Sequence, residues 1–271
     1  MFSTGASKGM MFFGAVRQLV EAKKIDISKV ETFCGVSAGS IVAFFLILGY
    51  SFEEIEEFVT NFDYNLLEVD VNIDVLFENF GLDEGEKLTH VFKHFAKEKF
   101  GKDDITFKEL YEVHKKKLVI QATNLTRSTL DTFCWKTTPE MPIVLAIRMS
   151  ISLPFIFTPV KYQNNLYVDP GLNISVPTIS SDLLKLLDIE CSNILFFEVE
   201  YEEKIYSEIN DFPKYMEVIF RSYLYYRKST TTNCKVITLK STCESVFPTK
   251  EEVKQLIKDG YEQCLLQNDF I

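Results

Sequence analysis

Apolar residues recur at helical spacing over residues 8–24, with Met11, Ala15, Leu19 and Ala22 on one face, and predict an amphipathic helix. Residues 30–34 form a short apolar run that suits a buried strand. A Gly-rich turn follows, and then an apolar stretch over 38–50 that reads as a helix. Ser51 with Glu54 three residues on marks a capping box that opens a helix over 52–61. Residues 74–101 read as mostly amphipathic helix and 106–114 as another. Residues 118–125 and 129–135 read as a hairpin-like pair of strands. Pro142 stands at the start of a helix over 142–150. Residues 161–168 read as extended, 193–200 and 235–239 as strands, and 212–228 and 249–266 as helices. Strands alternating with helices point to one α/β domain built on a mostly parallel sheet covered on both faces.

Composition narrows the partners. The 271 residues carry a net charge of −10, which gives little bulk attraction to nucleic acid or to anionic headgroups. The longest basic run, Lys115-Lys116-Lys117, reads as a solvated approach to a strand rather than a binding patch. The 24 phenylalanines supply core volume and could offer apolar surface to a greasy ligand. Lys8 is the only early charge and no small-residue cleavage site follows, so the start does not read as a signal peptide. The apolar run over 41–49 is too short to span a bilayer. Six scattered cysteines, with no Cys-x-x-Cys pair, read as buried apolar residues in a reducing compartment. The expectation is a cytoplasmic protein, at most peripheral at membranes.

The sharpest local feature is Gly35-Val36-Ser37-Ala38-Gly39-Ser40, set between a strand and a helix. A strand-to-helix elbow is sterically tight, which is why Gly35 and Gly39 flank the serine; the following helix N-terminus favours a developing oxyanion. A Gly/Ser-rich helix-capping turn would share the pattern. A nucleophilic serine needs a base. The three histidines, His90, His94 and His114, all precede the last strands, whereas an ordinary triad places its histidine near the C-terminus. His90 and His94 are four apart, as zinc ligands can be, but Val91 stands where the motif needs Glu, so a surface helix pair is the better reading. The candidate base is Asp169, at the end of the apolar run Leu166-Tyr167-Val168; a turn-forming Asp would look the same. Ser3-Thr4-Gly5-Ala6-Ser7-Lys8-Gly9 puts small residues ahead of a helix, where backbone N–H groups could face an anion or merely cap the helix.

Together the loop, the elbow and the acid resemble the patatin-like phospholipases. That family combines a Gly-x-Gly-x-x-Gly loop, a Gly-x-Ser-x-Gly elbow and an Asp-Gly-Gly or Asp-Gly-Ala turn. The block Arg148-Met149-Ser150-Ile151-Ser152-Leu153-Pro154-Phe155-Ile156-Phe157-Thr158-Pro159-Val160 is similar to the family's Arg-x-Ser-x-x-x-Pro-x-x-Phe-x-Pro segment. Ala122-Thr123-Asn124-Leu125 and Pro177 also match, and the likeness covers about residues 2–200. The resemblance implies a three-layer α/β/α sandwich with a mainly parallel sheet. It implies Ser37 as nucleophile, Asp169 as base, and N–H groups from Gly5, Ala6, Ser7, Lys8, Gly9 and Ala38 around an oxyanion. The implied substrates are phospholipids, lysophospholipids or neutral acylglycerols, met at a membrane surface, with no metal or cofactor. Residues 201–271 would complete the same domain.

Departures from the family pattern set up alternatives. Thr4 and Ala6 stand at the first and third loop glycines, and a Cβ there restricts the backbone. The acid is followed by Pro170-Gly171, and proline lacks an N–H and fixes φ near −65°. A spoiled site would leave a lipid-binding or regulatory protein. An acyltransferase, passing the acyl group to an alcohol, and an ordinary triad esterase complete the set.

Overall fold

The computed structural model describes residues 1–62, 73–172, 180–200, 234–241 and 248–267, with a few single positions between 209 and 243. Its sheet is built outward from β1 (Thr32–Val36), which pairs in parallel with β3 (Lys117–Asn124) from Thr32↔Lys117 to Val36↔Gln121. On the other flank of β1, Phe2 bridges in parallel to Gly35 and to Phe197 of β8 (Leu195–Glu200). β8 pairs in parallel with β9 (Lys235–Lys240). The centre of the sheet is therefore parallel, as its alternation with helices predicts. Beyond β3 it turns antiparallel, through β4 (Thr129–Cys134) and β7 (Asn165–Val168), with β6 (Val160–Tyr162) paired to β7.

Strand side chains alternate between two covered faces. Phe33, Leu118 and Ile120 enter the large core with α1 (Met10–Glu21), α2 (Ala38–Ile47), α5 (Glu86–Phe100), α7 (Ile143–Ser150) and α9 (Lys250–Leu266). Cys34, Val119 and Cys134 face the other way, onto Leu183 and Leu187 of α8 (Ser181–Leu187). The result is a three-layer α/β/α fold. α1 and α9 cross at two glycines. A Cβ on Gly14 would lie 1.9 Å from the Ile257 carbonyl oxygen, and one on Gly260 2.0 Å from that of Met11. Backbone packs on backbone there, which no other residue permits.

The capping box expected at Ser51/Glu54 opens α3 (Phe52–Asn61), and two more form at Thr106/Glu109 for α6 (Phe107–His114) and at Thr249/Glu252 for α9. Other expectations need correction. The helix expected over 74–101 is broken into α4 (Ile73–Asn79) and α5 by β2 (Gly81–Asp83), which pairs with β5 (Phe155–Phe157). Phe80 and Gly85, both at positive φ, turn the chain on either side. The stretch 161–168 is not one extended run but the hairpin β6–β7, turned at Gln163 and Asn164 in left-handed conformation. The helix expected over 212–228 lies outside the described residues, apart from isolated positions.

The cysteines were expected to be uniformly unbridged. Instead Cys191 and Cys234 form a disulfide, with Cα atoms 4.9 Å apart. They precede the paired strands β8 and β9, so the parallel register brings them together. That bond counts against the expected reducing compartment. Cys34, Cys134 and Cys264 are buried, and burial pushes the thiols of Cys34 and Cys264 up to about 12 and about 11. No described helix is long and apolar enough to cross a membrane.

Candidate active site

Ser37 occupies the single residue between β1 and α2, at φ 53° and ψ −128°. That region is rarely open to a residue with a Cβ and marks stored strain. The neighbours make the tight turn possible. A Cβ on Gly35 would come within 2.2 Å of the Gly39 carbonyl oxygen, and one on Gly39 within 2.5 Å of the carbonyls of Phe2 and Ser3. The expected elbow is thus formed by both of its glycines.

Asp169 follows β7 directly, and its N–H donates to the Ser152 carbonyl at 2.9 Å. The Ser37 hydroxyl donates to Asp169 Oδ2 at 2.6 Å. Asp169 is 3% exposed and Ser37 8%, so the pair is nearly enclosed. Oδ1 of the same carboxylate accepts the Gly171 N–H at 2.6 Å. Pro170 opens a short 3-10 turn, and the donor it lacks is supplied one residue later. The proline therefore does not draw the acid away from the serine.

The N-terminal loop lies against the elbow because Phe2 pairs beside Gly35. Ala6 to Gly9 form a 3-10 turn, and Ala6 adopts φ 45° despite its Cβ. Gly9 abuts Ala38: a Cβ on it would meet the Ala38 methyl at 2.6 Å. Of the expected loop donors, the Lys8 N–H is engaged with the Gly5 carbonyl at 2.9 Å. The buried Lys8 ammonium reaches the Ser241 carbonyl at 3.3 Å.

The histidines lie elsewhere. His90 donates to the Glu86 carbonyl, while His94 and His114 stand edge-on to Phe95 and Phe100. Among the described residues, Ser37 Oγ is bonded to Asp169 and to no histidine.

Arg148 and Ser152 had no role on sequence grounds beyond the family likeness. Arg148 is 5% exposed; it donates to Ser152 Oγ at 2.6 Å and, through Nε and Nη2, to the Glu84 carbonyl. Desolvation lowers the guanidinium to about 10, against the pull of Asp83 and Glu84, so it remains a cation at neutral pH. The signal available was the Arg-x-Ser-x-Ser spacing at a helix end.

The family model of the patatin-like phospholipases matches residues 1–180. The chain belongs to that family. Over 177 residues it is 38% identical to a probable lipid hydrolase of Invertebrate iridescent virus 6, covering 64% of this chain and 59% of that one. It is 34% identical over 195 residues to an uncharacterized protein of Acanthamoeba polyphaga mimivirus, covering 70% of this chain and 64% of the other. The chain thus spans about three fifths of the length of these relatives. Among solved structures, VipD from Legionella pneumophila superposes over 99% of this chain and 66% of its own, with TM-score 0.68 and 15% identity. The type III effector ExoU of Pseudomonas aeruginosa gives TM-score 0.53 at 19% identity, over 100% of this chain and 53% of its own. Both likenesses are of fold.

Proposed function

We propose that this chain hydrolyses carboxylic ester bonds of phospholipids or lysophospholipids through a Ser37–Asp169 dyad and an acyl-serine intermediate. The observation that carries the reading is the 2.6 Å hydrogen bond from Ser37 Oγ to Asp169 Oδ2, in a strained elbow. Asp169 accepts the hydroxyl proton as Oγ attacks the ester carbonyl. The carbonyl oxygen gains negative charge, met by N–H groups of the Gly5–Ala6 segment, of Ala38, and by the N-terminus of α2. Collapse breaks the ester C–O bond, and Asp169 returns the proton to the leaving alcohol. Water, activated by the same carboxylate, then releases the fatty acid and restores Ser37.

Two observations favour this over a disabled site. Ala6 takes the left-handed conformation that a loop glycine would use. The turn after Asp169 keeps an N–H on the carboxylate despite Pro170. The substrate would be met at a lipid surface. The test is fatty-acid release from phospholipid and lysophospholipid vesicles. Wild type should release fatty acid, and folded Ser37→Ala and Asp169→Asn should not. Wild-type inertness on both lipids, or activity retained in Ser37→Ala, would overturn the assignment.

A further inference from the structure

We infer that Ser150, fully buried at the end of α7, is a positioning residue whose hydroxyl holds the Ser37 backbone in its strained elbow; the inference rests on the dyad reading above. Ser150 Oγ accepts the Ser37 N–H at 2.9 Å and donates its own proton to the Gln121 carbonyl of β3 at 2.7 Å. A serine near a helix end ordinarily donates back to the carbonyl four residues earlier. Ser152 does so, to Arg148 at 2.6 Å. Ser150 instead reaches across to two other elements.

The bridge has two consequences. Ser37 sits where its N–H has no helical partner, and a buried N–H without an acceptor is costly. Ser150 supplies that acceptor while Gln121 fixes the direction of its hydroxyl. Two residues on, the Ser152 carbonyl holds the Asp169 N–H. One turn of chain therefore clamps the backbones of both the serine and the acid, which keeps Oγ and Oδ2 in register. The Ser37 N–H, pointed at Ser150, is also removed from the oxyanion donors, which leaves that task to the N-terminal loop and Ala38.

The experiment is steady-state hydrolysis of a short-chain chromogenic ester, together with the rate and stoichiometry of fluorophosphonate labelling, in wild type and in Ser150→Ala, Ser150→Thr and Ser150→Cys. In folded Ser150→Ala, kcat and the labelling rate constant should fall roughly 10- to 100-fold. KM should stay within about threefold, with close to one site labelled per chain at completion. Ser150→Thr keeps the hydroxyl and should recover most of the rate. Ser150→Cys, nearly isosteric and a weak hydrogen-bonder, should fall between and serves if the alanine variant does not fold. A purely structural role would appear as fewer labelled sites, each reacting at the wild-type rate, and would overturn the inference. So would a wild-type rate in folded Ser150→Ala or Ser150→Cys. Wild-type labelling that persists in Ser37→Ala would instead sink the dyad reading itself, and this inference with it.

Discussion

Ala6 and Ser37 both hold positive φ with a Cβ attached. For Ala6 this is a left-handed turn costing about 1 kcal/mol relative to glycine. Ala6→Gly should therefore leave stability unchanged within about 1 kcal/mol, since relief of strain offsets the greater freedom of the unfolded chain. The hydrolysis rate should be equal or higher. Thermal unfolding and ester hydrolysis check this, and a loss of more than tenfold in rate would show that the alanine methyl is needed. Gly35→Ala is the opposite case. Its Cβ would overlap the Gly39 carbonyl, so a loss of about 1–3 kcal/mol or more and collapse of activity are expected in denaturant unfolding and rate assays. At this scale the sequence was informative. The meeting of Ser37 and Asp169 was legible because the family pattern sets a fixed order of small residues, serine and carboxylate. The Ser150 bridge was not, because it joins residues 113 positions apart through one hydroxyl.

Some helix boundaries were readable where side chains do the capping, although α8, capped by the Ser180 hydroxyl, was not read. Glu54 and Glu109 close their boxes by accepting N–H groups at Ser51 and Thr106. Glu54 is held below the usual glutamate range mainly by the Ser51 backbone N–H, and Glu109 by Lys102 and then the Thr106 N–H. A lowered folded value means stability fully present above the ordinary glutamate value and lost as pH falls through the lowered one. Urea midpoints should therefore decline on acidification across that window, and less steeply in Glu109→Gln. Thr106→Ala should cost about 1 kcal/mol with kcat unchanged, because α6 carries no site residue. The break at β2 was not readable. Residues 74–101 have a helical pattern, which the turn at Gly85 and pairing with β5, distant in sequence, override. The α1–α9 crossing was hidden too, since glycines within helices look merely unfavourable until a second backbone arrives. Gly260→Ala should destabilise by about 2 kcal/mol or more, seen in the urea midpoint. Neutrality there would mean the helices can part freely.

Across the whole molecule, alternation of strand and helix was enough to foresee a layered α/β fold. On its antiparallel flank the β3–β4 hairpin was foreseen, but the β6–β7 hairpin was not, because the turn at Gln163 and Asn164 carries no glycine to announce it. The sheet's continuity depends on Phe2, which joins β1 to β8 and stacks on Phe197 at 5.0 Å. The disulfide closes the chain between β8 and β9, at a sequence separation of 43. In the loop-entropy model a bridge of that span contributes about 4 kcal/mol, so reduction, or Cys191→Ser, should lower the unfolding temperature clearly. An unchanged melting curve under reductant would contradict it. Spacing alone could not pair these cysteines, since their closeness is a product of strand register.

The central claim is that Asp169 activates Ser37 directly. It is tested most directly by fluorophosphonate labelling with the modified peptide mapped, in wild type and in folded Asp169→Asn. The account predicts one adduct per wild-type chain, on Ser37, and a labelling rate lower by at least about 100-fold in Asp169→Asn. An adduct on another residue, no wild-type adduct, or equal rates in the two proteins would contradict it.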